Sequence, residues 1–415
     1  MSRLPGQVVV ADDLTGAVEA AAALAGLGPD GGEAAQVVLD PSALASVDSA
    51  IASLDLNCRD LPADLAAARL SAAMTAARHW VGAAGRRLKK IDSLWRGNTV
   101  AEVVALAGWG PAVLVPALPE LGRTVEAGRL QRPADAGGEL DLLACLAAVA
   151  SLVDLRVVRN SEQALSDSLG ALWAAGRLPL VDAVDQSDLD RIAAVLEAWP
   201  DRLVIGSGGV AAALGRRRAA ARADYEAAAG TDYDGAAVGT DFDPAAGVVA
   251  DRRPVAVLVG STEPGARAQV EWLSRAGHPV ETVDPSDPMV GPGPADLTAG
   301  DARSPQVRVF VSSAPTPGQG LDDGWAAGLV VRRALAWQPR ADCVATGGAT
   351  ARALLDAAGS TWLRPLAQVH PGAVVSLADD GRLVATRPGS FGPIDSLALM
   401  LERTIRWRRG DSVAD

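Results

Sequence analysis

Short apolar runs of strand length alternate with alanine-rich stretches along this whole chain, and that alternation constrains the fold more than any other feature. Strands are expected at QVVVA, AQVVLD, AVLVPA, LRVVR, LPLVDA and RLVIGS, and then at VAVLVG, VRVFVSS, DCVATGG, AVVSLA and RLVATR. Strand–helix alternation of this kind produces βαβ units, so the expected class is α/β, with mostly parallel sheets flanked by helices. At 415 residues the chain exceeds what one core normally organises, which predicts two domains. Between the two sets of strands lies GTDYDGAAVGTDFDPAAGVVADRRP, a Gly/Asp-rich near-repeat without strand or helix periodicity. It lacks the bidentate glutamate of a calcium loop and reads as a linker, with a cation site as the lesser alternative. The expected layout is a first domain over 1–229, a linker over 230–254 and a second domain over 255–410, with the active site in the cleft between them. A Pro/Gly-rich stretch from Pro285 is expected as a surface loop of the second domain.

Composition removes several classes of function. A net charge of −12 leaves no basic stripe for nucleic acid, and GRRRAAAR from Gly215 reads better as a solvated helix face. Cys58, Cys145 and Cys343 are widely spaced, which fits a reducing cytoplasm better than a disulfide framework or a zinc site. Three histidines give little material for a metal centre, and each reads as a surface or packing residue. No secretory leader is evident, and the longest uncharged apolar run, LLACLAAVASLV, is too short to cross a bilayer. A soluble cytoplasmic protein with small-molecule partners is expected.

The chemistry concentrates where strands end. VVVADDLTGA places Asp12 and Asp13 between an apolar strand and an alanine-rich helix. That is where open α/β sheets bind ligands, and it is also where an aspartate caps a helix, so both readings stand. Arg59 in LNCRD, then Lys90, Asp92, Ser93, Arg96 and Asn98 in KKIDSLWRGN, and Arg123 and Thr124 in PELGRTVEAG follow the same placement. Such a mixture suits a carboxylated, polyhydroxylated ligand: cations pair its carboxylate, while Asp and Asn bind its hydroxyls. The second half repeats a strand, small-residue turn and helix three times, offering Ser261, then Gly347, Gly348, Ala349 and Thr350, then Gly389 and Gly392. Free N–H groups at such turns suit phosphates. GSTEPGAR lacks the Lys-Ser/Thr of a Walker loop. IGSGGVAAAL satisfies GxGxxA, but the following RRRAAARADYEAAAG reads as helix where a dinucleotide fold needs a second strand.

These segments resemble the four-carbon acid sugar kinases. ADDLTGA and PALPELGRTVEAG match the family's signatures throughout, and KIDSLWRGN matches at Lys90, Asp92, Ser93, Arg96, Gly97 and Asn98. GSGG at Gly206 is similar to the end of the family's sugar-acid domain, and GSTEPGARAQ, GGATA and PGSFG to its nucleotide domain. The resemblance implies an ATP- and Mg²⁺-dependent kinase acting on the terminal hydroxyl of a tetronate, threonate, erythronate or 3-oxo-tetronate. Asp12 or Asp13 would orient the hydroxyl, with the cations on substrate or phosphate and the glycine turns on ATP. A homodimer is a further expectation. The chain departs from the family at Leu94-Trp95, at Ser261-Thr262-Glu263, at Ala349 and at Arg387. A catalytically silent sugar-acid sensor and, more remotely, a nicotinamide-dependent oxidoreductase are the competing readings.

Overall fold

The computed structural model describes residues 6–28, 32–82, 85–229, 248, 251–261, 264–284, 306–313, 323–389 and 392–410. The loop expected from Pro285, Thr262, Glu263 and most of the 230–254 linker lie outside them. The chain divides into two compact units, Met1–Gly26 with Gly32–Asp241, and Leu27–Gly31 with Phe242–Asp415.

In the first unit the chain forms β1 (Gln7–Ala11), α1 (Leu14–Leu24), β2 (Ala35–Val38), β3 (Ile51–Asp55), α2 (Ala63–Val81), β4 (Arg86–Lys90), α3 (Thr99–Ala107) and β5 (Ala112–Val115). Three two-residue strands follow, β6 (Val125–Glu126), β7 (Arg129–Leu130) and β8 (Leu140–Asp141), and they pair as a separate small antiparallel sheet. Then come α4 (Leu142–Cys145), β9 (Ala150–Val153), α5 (Leu155–Asn160), α6 (Glu162–Ala174), β10 (Leu178–Val181), α7 (Gln186–Glu197), β11 (Leu203–Gly206) and α8 (Gly208–Ala229). The main sheet runs β2-β3-β1-β4-β11-β5-β10-β9, and every pairing in it is parallel. Because β2 and β3 lie on one side of β1 and β4 on the other, the winding reverses at β1, where open sheets of this type bind ligands.

One sequence expectation changes. LRVVR is not a strand: it forms α5, because Asp154 caps it by accepting from the Val157 amide at 3.2 Å. A local cap outweighs the β preference of paired valines. The apolar run from Leu142 divides into α4 and β9. By contrast RRLKK is a central strand although four of its five residues are cationic. Its charges are answered individually: Arg86 donates to the Leu196 carbonyl, Lys89 pairs with Glu102 and Lys90 with Glu19.

The second unit contains β12 (Val255–Val259), α9 (Pro264–Arg275), β13 (Val280–Val283), β14 (Val307–Ser312), α10 (Asp323–Trp337), β15 (Asp342–Thr346), α11 (Gly348–Ala358), β16 (Trp362–His370), β17 (Ala373–Ala378), β18 (Leu383–Arg387) and α12 (Ser396–Arg409). Its sheet runs β13-β14-β12-β15-β18-β17-β16, parallel as far as β18 and antiparallel across β17 and β16. Val257, Val344, Leu383 and Ala385 of the strands pack with Leu397, Met400 and Leu401 of α12 in one apolar core.

Candidate functional site

Register brings the first-unit residues together. Ala11 lies opposite Asp55 on one side and Lys90 on the other, and Lys90 lies opposite Gly206, so the carboxyl ends of β3, β1, β4 and β11 are level. Asp12 and Asp13 leave this edge at its centre. Asp13 caps α1, its Oδ1 accepting from the Gly16 amide at 3.0 Å and its Oδ2 from the Thr15 hydroxyl at 2.6 Å. The capping reading therefore holds for Asp13, but capping does not exhaust its contacts. Arg59 donates to Asp12 Oδ2 through Nε at 2.7 Å, and to both Asp13 oxygens through Nη1 and Nη2 at 3.0 and 2.8 Å. Its Nη2 also lies 3.7 Å from Asp92 Oδ1. One guanidinium thus joins three carboxylates.

Asp92 is held from the other side by Arg96, whose Nε and Nη2 contact its two oxygens at 2.9 and 2.8 Å. The amides of Leu94 and Arg96 also donate to Asp92, and the chain passes Trp95 at φ 64° to close the turn. That is a left-handed conformation a tryptophan rarely adopts, held here by the carboxylate at the turn's centre. Lys90 Nζ pairs with Glu19 at 3.2 Å. Asn98 donates to the carbonyls of Cys58, Arg59 and Leu61 and so fixes the loop that carries Arg59. Arg123 is buried; burial pulls its guanidinium below the usual range against the attraction of Asp92 and Glu19, which places it in the same electrostatic group. Asp12, Asp13, Asp92 and Glu19 are balanced by Arg59, Lys90, Arg96 and Arg123. Exposure rises outward, from 4% for the Asp12 side chain through 17% for Arg59 to 47% for Arg96, so the cluster opens on its arginine side. Ser93 and Thr124 are half-buried beside these turns.

Sequence reasoning missed several members. Glu19 lies on α1 inside an alanine-rich run, with nothing local to mark it. Lys89 Nζ lies 3.0 Å from Glu102, both buried, and Glu102 also accepts from the Cys58 thiol. Burial, Glu102 and Asp12 push that thiol up to about 12 despite Lys89. Arg132 donates to the Leu94 carbonyl and steadies the Asp92 turn. The GxGxxA run serves packing: a Cβ at Gly206 would sit 2.5 Å from the Val115 carbonyl oxygen, and one at Gly208 2.5 Å from Glu19 Oε1. The residues after it continue α8, as expected, and form no second strand.

In the second unit β15 runs into Gly347, which has φ 81° and caps α11 without a side-chain hydrogen bond. Gly347 and Gly348 are half-buried, Ala349 is exposed and Thr350 is buried. A Cβ at Gly347 would lie 3.9 Å from Gly389, so these two turns are adjacent. Arg387 is fully buried, donates to the Gly389 carbonyl at 2.6 Å and also reaches Gln269. In place of the family's lysine it acts as a latch on the Gly389 turn. Gly392 (φ 95°) sits against Ser396 and His370, and Ser261 is half-buried at the end of β12. The Thr346 hydroxyl is buried without a partner among the described residues. No group of three or more His, Cys, Asp or Glu among the described residues could hold a metal ion, and no helix among them is long and apolar enough to cross a membrane.

Residues 7–214 match the sugar-binding N-terminal domain family, and residues 256–397 the nucleotide-binding C-terminal domain family. The D-threonate kinase of Cupriavidus necator is 32% identical over 427 residues, covering 93% of this chain and 94% of its own. The 3-oxo-tetronate kinase of Burkholderia multivorans is 28% identical, with 93% and 94% covered. Crystal structures of proteins from Salmonella typhimurium (TM-score 0.71, 18% identity, 96% and 99% covered) and Haemophilus influenzae (0.64, 19%, 96% and 100%) share the fold. Sequence and fold together define a sugar-binding α/β unit followed by a nucleotide-binding α/β unit. The chain belongs to the four-carbon acid sugar kinase family.

Proposed function

We propose that this protein is an ATP-dependent kinase that phosphorylates the terminal hydroxyl of a four-carbon sugar acid, a tetronate or its 3-oxo form. The observation that carries the reading is the Arg59 guanidinium joining Asp12, Asp13 and Asp92 at the carboxyl edge of the sheet, with Arg96 open beside it. The substrate carboxylate pairs with the outer, Nη1 side of Arg96, whose Nε and Nη2 hold Asp92, and competes with the aspartates for Arg59. As Arg59 is drawn to the incoming anion, the Asp12/Asp13 pair is released to accept hydrogen bonds from the substrate hydroxyl and orient it. Because the cluster's charges balance, an anionic substrate meets no net repulsion. Phosphoryl transfer of this kind asks for positioning and charge stabilisation more than covalent chemistry.

The first domain, 1–229, would hold the acid, and the second, 255–410, the nucleotide. The adjacent Gly347–Thr350 and Gly389 turns would suit a triphosphate, since Gly347, Gly348 and Gly389 carry no Cβ and the first amides of α11 have no partner within the helix. Mg²⁺, if used, would rest chiefly on phosphate oxygens with one or two carboxylates, the usual arrangement for that ion. The relatives named as D-threonate and 3-oxo-tetronate kinases support this substrate class.

The test is ADP release with ATP-Mg²⁺ and a panel of D- and L-threonate, erythronate and 3-oxo-tetronates. Turnover with at least one acid is expected. Binding of an acid without turnover on any would favour the silent sensor, for which the exposed Ala349, in place of the family's acidic residue, is the supporting feature. A second expectation concerns Gly348, which starts α11 without a positive φ and so tolerates a side chain conformationally. Gly348→Val should raise the apparent KM for ATP about tenfold or more while leaving that for the acid within about twofold, because close phosphate approach is lost. Equal effects on both constants would argue against nucleotide binding at this turn.

A further inference from the structure

At the opposite, amino-terminal edge of the first-unit sheet lies a cavity of about 700 Å³, within the range of small-molecule sites. It opens where β4, β5 and β11 begin, so Arg87 in its wall and Lys90 at the candidate active site are three residues apart on one strand, about 10 Å. Nothing in the proposed kinase chemistry uses this end of the sheet.

Its lining is unusually cationic for an acidic protein. Arg78 from the last turn of α2, Arg87 from β4 and Arg202 just before β11 all line the cavity, with Asp201 as the acidic member. Asp201 is already engaged: its Oδ2 accepts from Arg202 at 2.5 Å and its backbone carbonyl from Arg87. Arg78 makes no ion pair or hydrogen bond among the described residues. Burial and the like charge of Arg78 pull the Arg87 guanidinium below its usual range, against the pull of Asp201. Arg202 is fixed in place, its guanidinium 5.4 Å from the Trp173 ring and 5.2 Å from that of Trp199, and its Nε is buried without a partner among the described residues. Trp109, Gly110 and Pro111 also line it, and an indole offers a broad, largely apolar face. Like charges gathered in a concave site lower their mutual repulsion by binding an anion, and fixed guanidinium forks match phosphate geometry.

We propose that this cavity is a second binding site, for a small organic phosphate that carries a flat ring: the phosphate sits on Arg78 and Arg87 and the ring lies along Trp109. The site is separate from the acid and nucleotide sites proposed above and does not depend on them.

Hydrogen–deuterium exchange on the full chain reads each site locally. AMP, pyrophosphate and adenosine serve as probes at about 10 mM, where even a site of millimolar Kd is filled. AMP and pyrophosphate are expected to protect peptides covering 74–82, 109–111 and 201–203, AMP more strongly, and adenosine is expected to leave them unchanged. Arg78→Glu, a change at an exposed position, should weaken the AMP effect there about tenfold or more, and Arg87→Gln should do likewise. No protection of these peptides, protection by adenosine equal to that by AMP, or protection unaltered in both variants would overturn the proposal.

Discussion

Asp13→Asn is expected to leave the fold intact and to lower turnover about 10²–10⁴-fold, the usual cost of removing a well-placed proton acceptor. The two effects separate because of what asparagine retains. It caps a helix about as well as aspartate, so the bond from the Gly16 amide survives on its one oxygen, while the Thr15 hydroxyl, which faced the other carboxylate oxygen, accepts from Nδ2 instead. What is lost is the charge. Arg59 keeps its Nε bond to Asp12 and the longer contact of Nη2 with Asp92, but loses the anionic partner that held Nη1 and Nη2 most closely. Asp13→Ala is the informative control, since it removes cap and charge together and should cost about 1 kcal/mol or more of additional stability. The check is turnover on the best acid from the panel, measured beside thermal melting. An Asp13→Asn enzyme with near-normal turnover would reduce Asp13 to the helix cap that its position alone explains.

How much of this was legible beforehand depends on what kind of information each residue carries. The aspartate pair, Arg59, Lys90, Asp92 and Arg96 were visible because each follows a strand-like run, and a parallel sheet aligns strand ends by register. The chain did not reveal that a single guanidinium would bind three of these carboxylates, because that depends on the 46- and 47-residue separations closed by β1 and β3. Glu19 and Glu102 were silent for a similar reason: Glu19 sits in an alanine-rich helix and Glu102 in a first helical turn where an acid is ordinary, and neither shows locally the lysine on β4 that it pairs with. β4 itself resists a reading by propensity, since RRLKK is acceptable as a buried strand only when its partners are already known. LRVVR went the other way. There β-branched residues suggested a strand, but the aspartate immediately before them set a helix start that a composition-led reading passes over. In the second unit the glycines were legible as turns, whereas the Arg387 latch was not, because its role depends on Gln269, 118 residues away.

Arg59→Ala is expected to produce the largest loss of stability of any single change at the candidate site, about 3–5 kcal/mol near neutral pH, because it strands buried carboxylates without their cation. The pH dependence distinguishes this cause from a simple packing defect. Burial pushes the Asp12 carboxyl up, but Arg59, Lys89 and Lys90 outweigh it and hold the group below the ordinary range. Burial likewise pushes up Asp92, and the bonds from Arg96 together with the charge of Arg59 bring it well below that range. A carboxylate depressed in the folded state contributes stability that is fully present above its unfolded value of about 3.9 and is lost as pH falls toward the folded one. The wild-type chain should therefore lose stability progressively below about pH 4 through this cluster. In Arg59→Ala the balance at Asp12 shifts toward burial, so protonation relieves the defect and the variant recovers relative to wild type as the solution is acidified. Urea midpoints at about pH 7, 4 and 3 measure both limbs, and the gap between the two proteins should narrow as the pH falls. A gap of constant size would mean that Arg59 stabilises the edge of the sheet through packing of its stem, and that the three carboxylates do not depend on its charge.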